Sequence, residues 1–140
     1  MENWHPAVVH FPVVLLPLAL CFDGVAWWRK RADLHTSAYA LWVAGAVACL
    51  AAVLSGDAAA GAHAMASAVQ AVERHEDWAT GATLASVFLA LARLPLHQRA
   101  ACGWRLFLWC LAAGLGTAAL WYTAHRGGEL VFTYGVGVGL

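Results

Sequence analysis

Residues 36–56, TSAYALWVAGAVACLAAVLSG, form an uncharged run of 21 residues. An α-helix of that length rises about 30 Å, which matches the hydrocarbon core of a bilayer. The whole chain has the same character, because 62% of its 140 residues are hydrophobic and only 11% are charged. A soluble domain usually has about 25% charged residues, so this composition cannot cover a globule with polar surface. The sequence therefore predicts an integral membrane protein in a lipid bilayer.

Three further apolar runs accompany this one, and the four together predict spans at residues 7–28, 36–56, 68–93 and 106–125. The third run is uncharged only over residues 78–92, which is too short to cross a bilayer, so its helix is expected to begin upstream. Short connections favour antiparallel neighbours. We expect one domain over residues 1–140: an all-α, four-helix transmembrane bundle in up-down-up-down order.

The basic residues are divided unevenly between the two ends of this bundle. Six of the eight lie in the connections at one end, namely Arg29, Lys30, Arg31, Arg93, Arg99 and Arg105, and only Arg74 and Arg126 lie at the other. The positive-inside bias places the first end in the cytoplasm and both termini outside. Residues 1–6 lack the basic start of a secretory signal, so the first span is expected to remain. The apolar, glycine-rich segment 131–140 is expected to pack against the outer end.

Residue spacing predicts the buried face of each helix. The inward stripes are His10, Val14, Pro17, Cys21 and Gly24 in the first span; Ala40, Ala44, Ala48, Ala52 and Gly56 in the second; His75, Ala79, Ala82, Ser86 and Ala90 in the third; and Cys110, Gly114, Ala118 and Tyr122 in the fourth. Small residues on such a stripe let helices approach closely.

The first span contains prolines and one acid. Pro12 and Pro17 predict a kink unless neighbouring helices satisfy the carbonyl groups that these prolines free. Asp23 lies near the inner end of the span. We expect it to pair with Arg93 or with an arginine of the basic loop.

Five of the seven histidines map to the outer end: His5, His10, His63, His75 and His125. The carboxylates of Asp57, Glu76, Asp77 and Glu129 fall at the same end and can orient imidazoles. An ionisable residue inside a membrane bundle marks a functional site by default. The structural alternative is that His5 caps the first helix and that His63 and His125 are solvated. His10 and His75, which begin inward stripes, are the strongest candidates.

Several functional classes find no support in the sequence. Basic and acidic residues number eight each, so no electrostatic footprint for nucleic acid is present. Hydrolase, phosphate-loop and zincin motifs are missing, and the four cysteines form no Cys-x-x-Cys pair. Whether the chain is an enzyme stays open. The pattern favours a cofactor or metal held by histidines from separate helices.

Both ends of the chain resemble a bacterial four-helix membrane domain, the domain of unknown function 2231. The similar segments are HPAVVHFP at residues 5–12, GGELV at 127–131 and YGVGV at 134–138. Gly56-Asp57 and His75 also occupy the expected places, and the resemblance spans nearly the whole chain. Tyr134 departs from the pattern, since many relatives have histidine there.

Relatives of this domain occur joined to cytochrome c-like or Rieske-type domains. The resemblance therefore implies a multi-pass protein of the bacterial inner membrane that transfers electrons between the quinone pool and an extracytoplasmic acceptor, such as a cytochrome or Rieske-type partner. That implication is an analogy at the level of the family, so the residues of the site must decide it.

Three hypotheses remain open. The first is a b-type haem with His10 and His75 as axial ligands on helices one and three, which lie diagonally across a sequential bundle. The second is a copper or zinc site built from His5, His10, His75 and His125, with Asp57 or Glu129 behind them. The third is a cofactor-free structural or assembly subunit of a membrane complex, or a homo-oligomer. The first predicts that function depends on His10 and His75 more than on His35 or His97.

Overall fold

The computed structural model describes residues 4–60, 68–98 and 104–136, and these are almost entirely helical. The helices are α1 (His5–Val8), α2 (His10–Arg29), α3 (Ala32–Ala60), α4 (Val69–Gln98) and α5 (Trp104–Phe132). Val9, between α1 and α2, keeps a right-handed helical backbone, so these two helices follow one another as a single rod. The predicted all-α fold with four long helical segments is confirmed.

Two prolines shape the first rod. The ring of Pro12 opposes the carbonyl of Val8 four residues earlier, and α1 ends at that residue. Pro17 lies inside α2 and leaves the carbonyl of Val13 without its helical donor. The indole N–H of Trp121 in α5 donates to this carbonyl at 3.4 Å. A neighbouring helix therefore satisfies the freed group.

A tight turn at Lys30 joins α2 to α3. Lys30 adopts the left-handed conformation with φ 53° and ψ 40°. The N–H of Lys30 donates to the carbonyl of Trp27, and the N–H of Arg31 donates to the carbonyl of Ala26 at 3.0 Å. These two hydrogen bonds form a Schellman motif at the C-terminal end of α2. Its left-handed position, here Lys30, is usually a glycine, because a Cβ there is strained. The turn reverses the chain within two residues and makes α2 and α3 antiparallel.

The four rods form a square in sequence order. The backbones of α2 and α3, α3 and α4, α4 and α5, and α5 and α2 are neighbours, whereas within the described residues no Cα atom of α2 lies within 8 Å of one in α4, and none of α3 within 8 Å of one in α5. The first and third rods thus lie on one diagonal, and the second and fourth on the other. The predicted bundle order is the one observed.

Two tryptophans occupy the centre of the bundle. Trp42 in α3 is fully buried, Trp109 in α5 is nearly so, and their rings meet edge to face at 5.0 Å. Each indole N–H donates to a carbonyl of α4, Trp42 to Ser86 and Trp109 to Leu89, both at 3.1 Å. A buried indole needs such an acceptor. These contacts hold α4 against both of its neighbours.

Large apolar side chains cover the outside of the bundle, including Phe11, Val47, Leu84, Phe88, Phe107 and Leu115. Three segments are long and apolar enough to cross a membrane: His5–Arg29, Ala32–Ala58 and Trp104–Phe132. Such outward apolar surface is expected of helices in contact with lipid. The chain is therefore a helical membrane protein.

The predicted buried faces are partly wrong. The stripe of α4 is confirmed, since Ala82, Ser86 and Ala90 are buried. In the other helices the buried residues are Pro12, Leu16, Ala19, Asp23 and Ala26 in α2, Ala38, Trp42, Gly45, Ala46 and Cys49 in α3, and Leu106, Trp109, Ala113, Gly116, Thr117, Leu120, Thr123 and Leu130 in α5. The buried face of each of these helices therefore differs from the predicted stripe, and it contains Asp23 and the two indoles beside small residues.

The end of α5 turns back onto the bundle. Gly135 adopts a positive φ of 66°, and the N–H of Val136 then bonds to the carbonyl of Leu130 at 2.9 Å. Val131 and Val136 both line the cavity described below. The predicted packing of the tail is therefore confirmed as far as residue 136, and residues 137–140 lie outside the described part.

Candidate functional site: a cavity between two histidines

A cavity of about 330 Å³ opens among all four rods, at the end of the bundle that holds the last turns of α3 and α5. We call this the histidine end, and the opposite end, with residues 29–35, 93–98 and 104–105, the basic end. Most of the cavity wall is apolar or small, and the ionisable residues in it are His5, Asp57, His75 and Glu76. An apolar cavity with a few convergent polar groups is the usual form of a small-molecule site.

His5 is held in a defined orientation by α3. Its Nδ1 lies 3.0 Å from Oγ of Ser55. The single hydroxyl hydrogen of Ser55 is already directed to the carbonyl of Ala52 at 2.9 Å. These contacts with the last turns of α3 hold the ring of His5 in place.

His75 faces the cavity from the diagonally opposite rod. Its Nδ1 is buried and has no hydrogen-bond partner among the described residues. A buried nitrogen left in this state costs about 1–3 kcal/mol, which is recovered when a ligand or a rotated ring supplies a partner. The imidazole thus has unused binding capacity at the cavity.

A glycine lies against each of the two rings. A Cβ on Gly56 would lie 3.1 Å from Cε1 of His5, and one on Gly127 would lie 3.0 Å from Cε1 of His75. Both separations are tighter than ordinary van der Waals contact, so any larger residue would displace the ring. The same arrangement therefore occurs twice: a histidine on one rod with its ring edge on a glycine of the following rod.

The predicted inward position of His10 is wrong. His10 is exposed and does not line the cavity, and its Nδ1 lies 2.6 Å from the carbonyl of Pro6 on its own helix. His10 points outward because of the way the first rod is rotated about its own axis. His10 lies 13 residues before the buried Asp23, which is about 140° away around an α-helix, whereas His5 lies 18 residues before it, about five full turns.

The other predicted site residues lie apart from the two rings. His125 is exposed, with Nε2 3.6 Å from Oε1 of Glu129. Glu129 pairs with Arg126 at 2.7 Å and so does not support a cavity histidine, whereas Asp57 does line the cavity. His63 lies outside the described residues.

The metal alternative required several of these histidines to converge. Within the described part of the chain, no group of three or more His, Cys, Asp or Glu side chains is placed to hold a metal ion. The structure brings His5 and His75 to one cavity, and it does not bring His10 or His125 there.

A second cluster of ionisable residues is buried at the basic end. Asp23 accepts from Nη2 of Arg93 at 2.5 Å, which confirms the predicted pair. His35, which the sequence did not single out, places Nδ1 2.6 Å from the same carboxylate oxygen. The guanidinium also lies over the ring of Trp109 at 4.6 Å. The turn at Lys30 lies about midway between Asp23 and His35, so it brings these two residues level on the antiparallel helices α2 and α3. The position of the turn could therefore have indicated the contact between them.

Comparison with known proteins identifies the family. A family model described as "Predicted membrane protein (DUF2231)" matches residues 2–140. The chain belongs to the DUF2231 family. Its members are thus membrane proteins, in agreement with the apolar helices and the outward apolar surface of this one. No curated protein and no solved structure matches this DUF2231 chain.

Proposed function

We propose that this DUF2231 protein is a membrane electron-transfer module that holds a b-type haem in the cavity between His5 and His75. The observation that carries the proposal is that these two imidazoles, on diagonally opposed rods, line one apolar cavity. Bundle proteins commonly build cofactor sites from side chains on facing helices. His5 takes the place that the sequence pattern gave to His10.

The residues present fit such a group. Both imidazoles line the cavity, Ser55 orients the ring of His5, and Nδ1 of His75 lacks a hydrogen-bond partner among the described residues. The cavity volume of about 330 Å³ is near the lower end of the usual range for small-molecule sites. Haem would supply one-electron transfer, with a potential set by its axial ligands and by burial.

The chain's own residues define the rest of the site. Ser55 orients the ring of His5, and Gly56 and Gly127 admit the rings close to the helix backbones. The apolar wall excludes water, which favours electron transfer over side reactions.

The proposal includes an orientation in the bacterial inner membrane. Of the seven basic residues that the structure describes, five lie at the basic end, so the positive-inside bias places the histidine end outside. In α4 the charges gather before residue 78 or at Arg93, which pairs with Asp23, so in this orientation the charged first turns of α4 lie at the outer membrane boundary. The cavity then faces extracytoplasmic electron acceptors, with the quinone pool as the electron source.

A haem titration of the detergent-purified protein tests this function. We expect the wild type to bind one haem per chain with a low-spin spectrum, and His5→Ala and His75→Ala each to lose that spectrum. His10→Ala and His125→Ala are the matched controls and should bind as the wild type does. Retention of the spectrum in the His5→Ala, His75→Ala double variant, or failure of the wild type to bind haem, would overturn the proposal.

A further inference from the structure

A second cavity, of about 110 Å³, lies beside the histidine cavity and is polar where the first is apolar. Its wall includes Arg74 and Gln70 from α4, and Arg126, Glu129 and Tyr134 from α5 and the turn after it. Leu130 lines both cavities, so the two are neighbours. We call the smaller one the arginine pocket.

The arginine pocket collects the basic residues of this end of the molecule. Among the described basic residues, Arg74 and Arg126 are the two that lie at the histidine end. Each directly precedes a residue of the large cavity, because Arg74 is followed by His75 and Arg126 by Gly127. The same two helices thus present an imidazole and its supporting glycine to one cavity and two guanidinium groups to the next.

The charges in the arginine pocket do not balance. Arg126 donates to Glu129 at 2.7 Å, and no ion pair within the described residues involves Arg74. The pocket wall thus holds two guanidinium groups and one carboxylate, while the acids next to Arg74 on α4, Glu73, Glu76 and Asp77, do not line it. A guanidinium binds carboxylate and phosphate oxygens through paired, charge-assisted hydrogen bonds.

We infer that the arginine pocket binds a carboxylate group of the ligand whose apolar body occupies the histidine cavity. The ligand class is therefore an acidic amphiphile: a flat or elongated apolar body with an anionic group at one edge. This inference rests on the proposed function, since haem has such a body and two carboxylates. Tyr134 adds a hydroxyl donor to the wall of the pocket.

Paired ligands that differ only in their acid groups test the inference. Metal-free protoporphyrin IX and its dimethyl ester share one apolar body, and neither needs an axial imidazole. Binding of each is followed by porphyrin fluorescence in neutral detergent micelles, where no lipid phosphate competes. The wild type should bind the diacid roughly tenfold more tightly than the diester, the effect of one charge-assisted contact.

The variants Arg74→Gln and Arg126→Gln should reduce this preference and leave the affinity for the diester unchanged. Arg105→Gln, at the basic end, is the matched control and should keep the full preference. Equal binding of diacid and diester by the wild type, an equal loss of both ligands in the arginine variants, or no binding of either would overturn the inference.

The iron porphyrins separate this inference from the proposed function. A low-spin haem spectrum with no dependence on Arg74 or Arg126 contradicts the carboxylate pocket alone. Binding of the metal-free diacid that depends on these arginines, without a low-spin haem spectrum, contradicts the haem proposal alone. Repeating the diacid titration in nanodiscs of phosphatidylglycerol tests lipid phosphate as the anion source: competition there, with no diacid preference in micelles, would assign the pocket to lipid and overturn the inference.

Discussion

Removing one partner of the buried pair Asp23–Arg93 should destabilise the bundle more than removing both. The two side chains are 1% and 3% exposed, so neither charge can be rehydrated when its partner is lost. Breaking a buried pair from one side costs about 3–5 kcal/mol, whereas replacing both partners with apolar residues of similar volume is often neutral or stabilising. The informative result is therefore whether the double variant has a higher or a lower free energy of unfolding than the single variants.

The structure refines these magnitudes. In Arg93→Met, Asp23 keeps its contact with His35, and the contact of the guanidinium with Trp109, up to about 2 kcal/mol when desolvated, is lost. We expect a loss of about 3–4 kcal/mol. In Asp23→Asn, Arg93 keeps the face of Trp109 but no counter-charge, and we expect a similar loss. The Asp23→Leu, Arg93→Met double variant should lie within about 1 kcal/mol of the wild type.

The free energy of unfolding can be measured by titrating the protein from mild detergent into sodium dodecyl sulfate, with far-ultraviolet circular dichroism as the signal. Arg105→Met is the control, since Arg105 is exposed and stacks on Trp104 at 5.5 Å, and it should cost less than about 1 kcal/mol. Single variants within 1 kcal/mol of the wild type, or a double variant that loses the sum of both singles, would refute the reasoning.

Three further predictions concern backbone and packing. Lys30→Gly should raise the unfolding free energy by about 1 kcal/mol in the same titration, because Lys30 has a left-handed backbone; a loss of stability would contradict the assigned turn. Gly45→Ala should lower it by about 1–3 kcal/mol, since the new methyl group would overlap the side chain of Leu16; an unchanged midpoint would show that α2 and α3 lie farther apart. Gly127→Ala should weaken haem binding by displacing an imidazole, whereas Gly81→Ala, with open space around it, should not; equal affinity of the two variants would count against the glycine contact.

The overall architecture was predictable because hydropathy and length alone identify membrane helices. Apolar runs separated by short charged connections permit little else than a sequential antiparallel bundle. The Asp23–Arg93 pair was predictable for a related reason, since a charge within such a helix needs an opposite charge in the interior. These features depend on composition along the chain and not on the rotation of any helix.

The rotation of the helices was harder to predict, because lipid-facing and inward-facing residues are equally apolar in a membrane bundle. Small-residue stripes were correct for α4 and wrong for α2. The buried charge Asp23 sets the phase of α2, and it places Leu16, Ala19 and His5 inside. If the inward face of α2 had been assigned from Asp23, the predicted pair would have been His5 and His75 instead of His10 and His75.

Some features of the site depend on contacts that no sequence spacing shows. The hydrogen bond from His5 to Ser55 and the glycine beneath each ring arise from the approach of separate rods. Gly56 and Gly127 were noticed as parts of motifs, and their role against the imidazoles became visible only from the distances.

The most direct test of the account is the low-temperature electron paramagnetic resonance spectrum of the oxidised protein loaded with haem. Ligation by His5 and His75 predicts a low-spin ferric signal of two imidazoles, which should convert to a high-spin signal in His5→Ala and in His75→Ala and persist in His10→Ala. A high-spin signal in the wild type, or conversion in His10→Ala with none in His5→Ala, would contradict the placement of the cofactor between His5 and His75.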